Sequence, residues 1–235
     1  MRRTFLLAAA AAGLTLAAMP AAAAPARRAA PIQRDWSRTI VTTPEGGYRM
    51  GNPAARVKLV EYGSLTCGHC AHFAQTGMAA LVANHVRTGK VSYEFRNYIL
   101  NGIDVTASLV ARCAHPSNFF KFVDRLYATQ GIWVPRISTL PQAEKDRLKA
   151  LPEGQRLGAL ADVGGLTAMG AQFGVPAARA KACLADQAAL DRLGGMAEAA
   201  GALGVTGTPT FFINGNMAPV NEWPALEPLL RQAGG

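Results

Sequence analysis

The sequence predicts an α/β domain whose sheet starts near the N terminus, is interrupted by a long helical segment, and is completed near the C terminus. Three stretches carry that reading. An apolar run, Val57-Lys58-Leu59-Val60, has the character of a buried strand and leads through Glu61 to Cys67-Gly68-His69-Cys70. Residues 91–97 alternate Val, Tyr and Phe with Ser, Glu and Arg, a second strand. Strand character then disappears until Thr208-Pro209-Thr210-Phe211-Phe212-Ile213. A sheet begun before a helical block and finished after it makes that block an insertion, because neither half can bury its faces alone.

Taken in order, Met1-Arg2-Arg3 is a positive lead, Phe5 to Ala18 is apolar, Pro20 breaks the run, and Ala21 to Ala24 offer small residues for cleavage. This is the pattern of an export signal over residues 1–24, with a loose twin-arginine match at Arg2-Arg3-Thr4-Phe5-Leu6. The alternative is an uncleaved anchor, since Phe5 to Pro25 carries no charge; its Ala-rich composition and Pro20 speak against that. Either way the body lies outside the cytoplasm, where disulfides persist. Residues 25–35 form a flexible lead-in. Trp36 to Thr43 and Gly47 to Met50 flank Pro44-Glu45-Gly46-Gly47 as a hairpin or edge strand. After the strand at Val57 to Tyr62, a helix runs from Cys67 to about Arg87, with Gly77 as a candidate kink. Strand, helix, strand implies a parallel pair joined by a right-handed crossover.

The first part of the sheet domain is thus residues 36–102. The insertion, residues 103–203, reads as helices at Ile103–Ala114, Ser117–Gln130, Pro141–Lys149, Gly154–Phe173, Pro176–Ala185 and Gln187–Leu203, punctuated by prolines that include Pro135. Residues 204–235 return to the sheet. There Asn214-Gly215 is a hairpin signal, Met217 to Val220 the returning strand, and Pro224 to Gln232 a closing helix.

Half of the 235 residues are hydrophobic, ample for a core. The formal charge is +9, and +7 once Arg2 and Arg3 are removed with residues 1–24. The basic residues are scattered apart from Arg27, Arg28 and Arg34 and form no stripe interleaved with aromatics, which argues against nucleic-acid binding and for a solvated basic surface.

The chemistry centres on Cys67 and Cys70. A Cys-x-x-Cys at a strand-to-helix turn places the first sulfur at a helix N-terminus, where unpaired N–H groups and the helix dipole favour a thiolate. His69 can stabilise that thiolate further. Cys67 is then the nucleophile and Cys70 the resolving thiol of an exchange reaction that needs no cofactor, since the two sulfurs hold the electrons. A zinc site would need a second half, which His72 and Cys113-Ala114-His115 supply only on paper; haem attachment needs His after Cys70, where Ala71 stands. Glu61, in an apolar strand six residues before Cys67, is a candidate proton acceptor or donor for Cys70, the alternative being an edge acid paired with Lys or Arg. Cys113 and Cys183 are read as a structural disulfide, worth roughly 4 kcal/mol in the chain-entropy model, with two buried thiols as the alternative. Pro209 opens a strand, and its bond to Thr208 is trans or cis on composition alone; a cis bond would free the Thr208 backbone to meet an extended peptide near Cys67. His72 belongs near the rim, His85 and His115 at the surface or at caps, and Phe119-Phe120 and Phe211-Phe212 in the core.

Glu61, Cys67-Gly68-His69-Cys70 and Gly204-Val205-Thr206-Gly207-Thr208-Pro209-Thr210 to Asn214-Gly215 together resemble the DsbA-like thioredoxin family. The resemblance spans nearly the whole chain after the leader. It implies a thioredoxin fold, Pro209 cis and facing Cys67, Cys67 as accessible nucleophile and Glu61 as buried acid. It also implies disulfide donation to newly exported, Cys-containing proteins in the periplasm, re-oxidation by a DsbB-type quinone-linked membrane partner, and a monomer. Two departures matter. Gly68-His69 is the dipeptide of protein disulfide isomerases, which points to a milder oxidant, and Thr208 before the proline is shared with isomerases and some DsbA relatives. Isomerase or reductase action is therefore the second expectation, and a peptide-binding chaperone or metal-binding protein the third.

Overall fold

The computed structural model describes residues 34–235, so the expected export signal and most of the lead-in lie outside the described residues. Six strands form one sheet: β1 (Ile40–Thr42), β2 (Tyr48–Met50), β3 (Val57–Gly63), β4 (Val91–Asn97), β5 (Thr210–Ile213) and β6 (Asn216–Met217), in the spatial order β1-β2-β4-β3-β5-β6. β3 and β4 are parallel, with Leu59 opposite Tyr93 and Glu61 opposite Phe95. β5 lies antiparallel to β3 and sets Phe211 against Glu61. The strand begun before the helices thus pairs with the one that follows them. The Asn214-Gly215 turn forms as expected: both residues have positive φ, and the Asn214 side chain accepts from the Lys58 N–H at 2.8 Å.

The crossover from β3 to β4 is α1 (Gly68–Thr76), α2 (Met78–Leu81) and a π-helical turn at Val82–Val86. The single helix expected from Cys67 to Arg87 is broken at Gly77. The cause is packing: a Cβ there would lie 2.7 Å from the Trp223 side chain of the C-terminal helix α11 (Trp223–Gln232). Only glycine lets these elements approach so closely.

Between β4 and β5 run α3 (Gly102–Arg112), α4 (Pro116–Ala128), α5 (Gln130–Ser138), α6 (Gln142–Lys149), α7 (Glu153–Gly164), α8 (Leu166–Ala171), α9 (Ala177–Leu184) and α10 (Gln187–Ala202). The helix expected over Gly154–Phe173 is two, divided at Gly165, whose left-handed φ of 74° ends α7. α5 was not expected, because Pro135 lies inside it. Burial of Trp133 and Ile137, with the indole N–H donating to the Leu126 carbonyl at 2.8 Å, outweighs the cost of that proline. The returning strand is also shorter than expected, two residues where Met217 to Val220 was read.

Cys113, at the C-terminal cap of α3, is bonded to Cys183 on α9 with the Cα atoms 6.1 Å apart. One continuous core joins helices and sheet. Phe119 of α4 stacks on Tyr48 of β2 at 3.6 Å between ring centres and contacts Phe95 of β4. Phe119 and Phe211 are fully buried, and burying a Phe side chain contributes about 2–3 kcal/mol.

Candidate active site

The apolar strand β3 ends at Gly63, and the turn Ser64–Thr66 delivers Cys67 to the N-cap of α1. Cys67 has extended backbone angles and no side-chain cap, so its sulfur lies at the open end of the helix. Cys70, one turn on, is fully buried. Neither sulfur is in a disulfide. The Thr208–Pro209 bond is cis, and the Thr208 carbonyl accepts from the Cys67 thiol at 3.2 Å. Two motifs 141 residues apart in sequence therefore meet at one sulfur.

The two thiols are driven in opposite directions. Cys67 is lowered to about 5. The Cys70 thiol, donating to it, contributes most; partial burial opposes; the Thr208 hydroxyl and the backbone N–H groups of Cys70 and His69 add to the lowering. Cys70 is pushed far up, first by burial, then by the proton it shares with Cys67 and by the charges of Glu61 and Cys67. The His69 side chain is exposed, and its backbone N–H is among the groups that lower Cys67.

Glu61 is 1% exposed and lies in the sheet between Phe95 and Phe211, both buried. Burial raises it to about 8, against the pull of the Tyr93 hydroxyl, which donates to Oε2 at 2.6 Å; the Cys67 charge raises it further. Among the described residues no Lys or Arg bridges to it, so the reading of Glu61 as an edge acid in an ion pair is set aside. Glu61 and Tyr93 also line a cavity of about 40 Å³, large enough to hold water. Tyr93 escaped the sequence analysis. Its signal was its place in a strand parallel to β3 and two residues from the partner of Glu61, which only the register makes visible.

Cys113 is committed to Cys183, which removes it from any metal site shared with Cys67 and Cys70. His115 caps α4, accepting from the Ser117 N–H at 3.3 Å. His85, expected at the surface or at a cap, is instead buried in the π-helical turn, with Nε2 3.3 Å from Glu227. His72 is exposed on α1.

Residues 43–229 match the family model described as thioredoxin. A Rickettsia prowazekii chain named as a protein-disulfide oxidoreductase is 30% identical over 168 residues, 71% of this chain and 53% of its own length. The corresponding Rickettsia felis chain is 31% identical over 168 residues, covering 71% and 52%. The chain thus spans about half the length of the curated relatives it matches. A crystal structure of a protein-disulfide isomerase from Novosphingobium aromaticivorans superposes with a TM-score of 0.74 at 30% identity, covering 81% of this chain and 98% of that one. Wolbachia pipientis alpha-DsbA1 shares the fold, with a TM-score of 0.65 at 20% identity over 83% and 94% of the two chains. With its sheet, its paired cysteines and its cis-proline turn already described, the chain belongs to the thioredoxin family.

Proposed function

We propose that this chain is a thiol–disulfide oxidoreductase that places disulfides into exported proteins in the periplasm. The observation that carries the reading is the asymmetry of the two sulfurs: Cys67 reachable and held as a thiolate, Cys70 buried and held as a thiol beside a carboxyl of about 8. Starting from the Cys67–Cys70 disulfide, a client thiolate attacks the Cys67 sulfur. The Cys67–Cys70 bond breaks, and its electron pair leaves on Cys70, which takes up a proton from the Glu61 carboxyl. A second client thiolate then attacks the client sulfur of the mixed disulfide. Cys67 departs as the stabilised thiolate, the client is oxidised by two electrons and the enzyme reduced by two. A thiolate so well stabilised is a good leaving group, which favours disulfide donation over reduction.

Cys67 and Cys70 as nucleophile and resolving thiol, Glu61 as the proton carrier, and Thr208-Pro209 as the wall against which a client's backbone lies are parts of this proposal. So are the periplasmic address read from residues 1–24, re-oxidation by a DsbB-type quinone-linked membrane protein, and a monomeric enzyme without cofactor. Among the described residues no helix is long and apolar enough to cross a membrane.

The test is trapping. Cys70→Ser is expected to accumulate mixed disulfides with Cys-containing proteins, and Cys67→Ser none; the reverse pattern overturns the assignment of the nucleophile. A second reading, disulfide isomerase, is favoured by Gly68-His69 and by the name of the Novosphingobium relative. The reduction potential separates the readings: around −120 mV for a DsbA-like oxidant, around −180 mV for an isomerase, and around −270 mV for a thioredoxin-like reductant.

A further inference from the structure

The turn that presents Cys67 is held from outside the sheet. The Ser64 carbonyl accepts from the Tyr127 hydroxyl at 3.1 Å, and the Leu65 N–H donates to the buried Asp104 carboxyl at 3.0 Å. One side chain reaches the catalytic residue itself. Gln130 Nε2 donates to the Leu65 carbonyl at 2.8 Å and to the Cys67 carbonyl at 3.1 Å. Both partners are carbonyl oxygens, so the amide must present its NH₂ edge to them. Gln130 is the first residue of α5, and α5 is pinned to α4 by the buried Trp133. Its position is therefore set by the helical insertion.

The Cys67 carbonyl is also the acceptor of the first hydrogen bond of α1, from the Ala71 N–H at 3.1 Å. Its direction thus fixes the peptide plane that opens the helix. The N–H groups that follow, those of His69 and Cys70, are among those that lower the Cys67 thiol. A second donor on the same carbonyl opposes fraying of a helix end whose N-cap offers no side-chain cap.

We propose that Gln130 is a positioning residue for Cys67: from the helical insertion, its amide locks the Leu65 and Cys67 carbonyls so that the N–H groups of the first turn of α1 face the Cys67 sulfur. The insertion then acts on the reaction without touching the client. This rests on the exchange reading of Cys67 above.

The test compares the unmodified chain with Gln130→Met, which keeps the length and removes the donor. Two quantities are read: the titration of the Cys67 thiolate by its ultraviolet absorbance, and the melting temperature of the oxidised and reduced forms. Loss of a hydrogen bond that organises a charged group is expected to lower the Cys67 acid-dissociation constant about tenfold. The reduced form, which carries the thiolate, is expected to lose more thermal stability than the oxidised form. Gln130→Asn, which keeps the amide on a shorter stem, is expected to change both in the same direction and by less. An unchanged Cys67 titration, or equal losses in the two redox forms, marks Gln130 as structural only and overturns the proposal. If the unmodified chain itself lacks an acidic Cys67, the exchange reading falls, and this one with it.

Discussion

The two cysteine pairs stand at opposite ends of helices. Cys67 is the N-cap of α1, where free N–H groups converge on the sulfur. Cys113 is the C-cap of α3, where the last carbonyls point and the helix dipole disfavours an anion. Cys67 faces a cis-proline turn and has a buried acid within electrostatic reach, whereas Cys113 is buried and bonded to Cys183 across 70 residues. One pair has everything that makes a sulfur leave easily, and the other has none of it. On the proposed exchange reading, reactivity follows from the helix end and the buried acid, not from cysteine as such.

The most severe way to break that comparison is to remove the second pair. Cys113→Ala/Cys183→Ala is expected to destabilise the fold by roughly 2–4 kcal/mol, since the cross-link restrains a long loop of the unfolded chain. Disulfide exchange through Cys67 below the lowered melting point is expected to be unchanged. Denaturant unfolding together with an exchange assay checks both; a large loss of exchange in the folded variant would show that the two pairs are chemically linked.

The comparison sharpens with pH, because the acids beside the reactive pair titrate with folding. Glu61 rises from 4.5 to about 8 and Asp104 from 3.8 to about 6, both mainly through burial. For an acid whose folded value is raised, the protonated form favours folding, so the stability is greatest at low pH and falls as pH climbs to the folded value. In the oxidised protein, where burial acts without the Cys67 charge, Asp104 should therefore drive a decline from about pH 4 to about 6, and Glu61 a decline that extends above it. The Glu61 part is on the order of 4 kcal/mol, and Glu61→Gln should abolish it while slowing exchange by about 10²-fold. In the reduced protein Cys67 adds the opposite sign: its folded value is lowered from 9.0 to about 5, so it stabilises increasingly as pH rises across that window. The reduced form should gain on the oxidised form from about pH 5 to about 9, whereas reducing the Cys113–Cys183 pair should produce no such gain. Unfolding of both forms across this range decides it. A flat oxidised profile above about pH 6 would remove Glu61 as a buried carboxyl.

What was legible in advance follows from range. Strand β4 matched its expected limits because alternation and burial are written residue by residue, and the Asn214-Gly215 turn because its backbone demands those residue types. The cysteine motif was legible for the same reason. Three features were not. Gly77 breaks a helix because of Trp223, which is 146 positions away, and α5 forms despite Pro135 because Trp133 is buried against α4. Gln130 and Tyr93 carry no local signature; each matters through the atom it happens to reach, the Cys67 carbonyl in one case and the Glu61 carboxyl in the other. The resemblance to DsbA-like proteins gave the cis Pro209 that composition alone left open.

Tyr93→Phe is the gentlest probe of the same contrast. The substitution removes one oxygen from a fully buried position and leaves the ring between its neighbours, so packing is nearly conserved. What it deletes is the 2.6 Å hydrogen bond to Glu61, the one interaction that holds that carboxyl below where burial alone would put it. Glu61 should then bind its proton more tightly. A charge-assisted hydrogen bond contributes about 1.5–3 kcal/mol, so the alkaline limb of the exchange rate should move up by roughly one to two pH units, with no change in the acid limb, which the attacking client thiolate sets. Thermal stability at low pH should be kept, because Glu61 is protonated there in either chain. A pH–rate profile that does not move would assign Tyr93 to packing and leave Glu61 shaped by burial alone. A profile that moves would mean that the sheet, through one hydroxyl of β4, sets the pH range over which the buried sulfur is served with a proton.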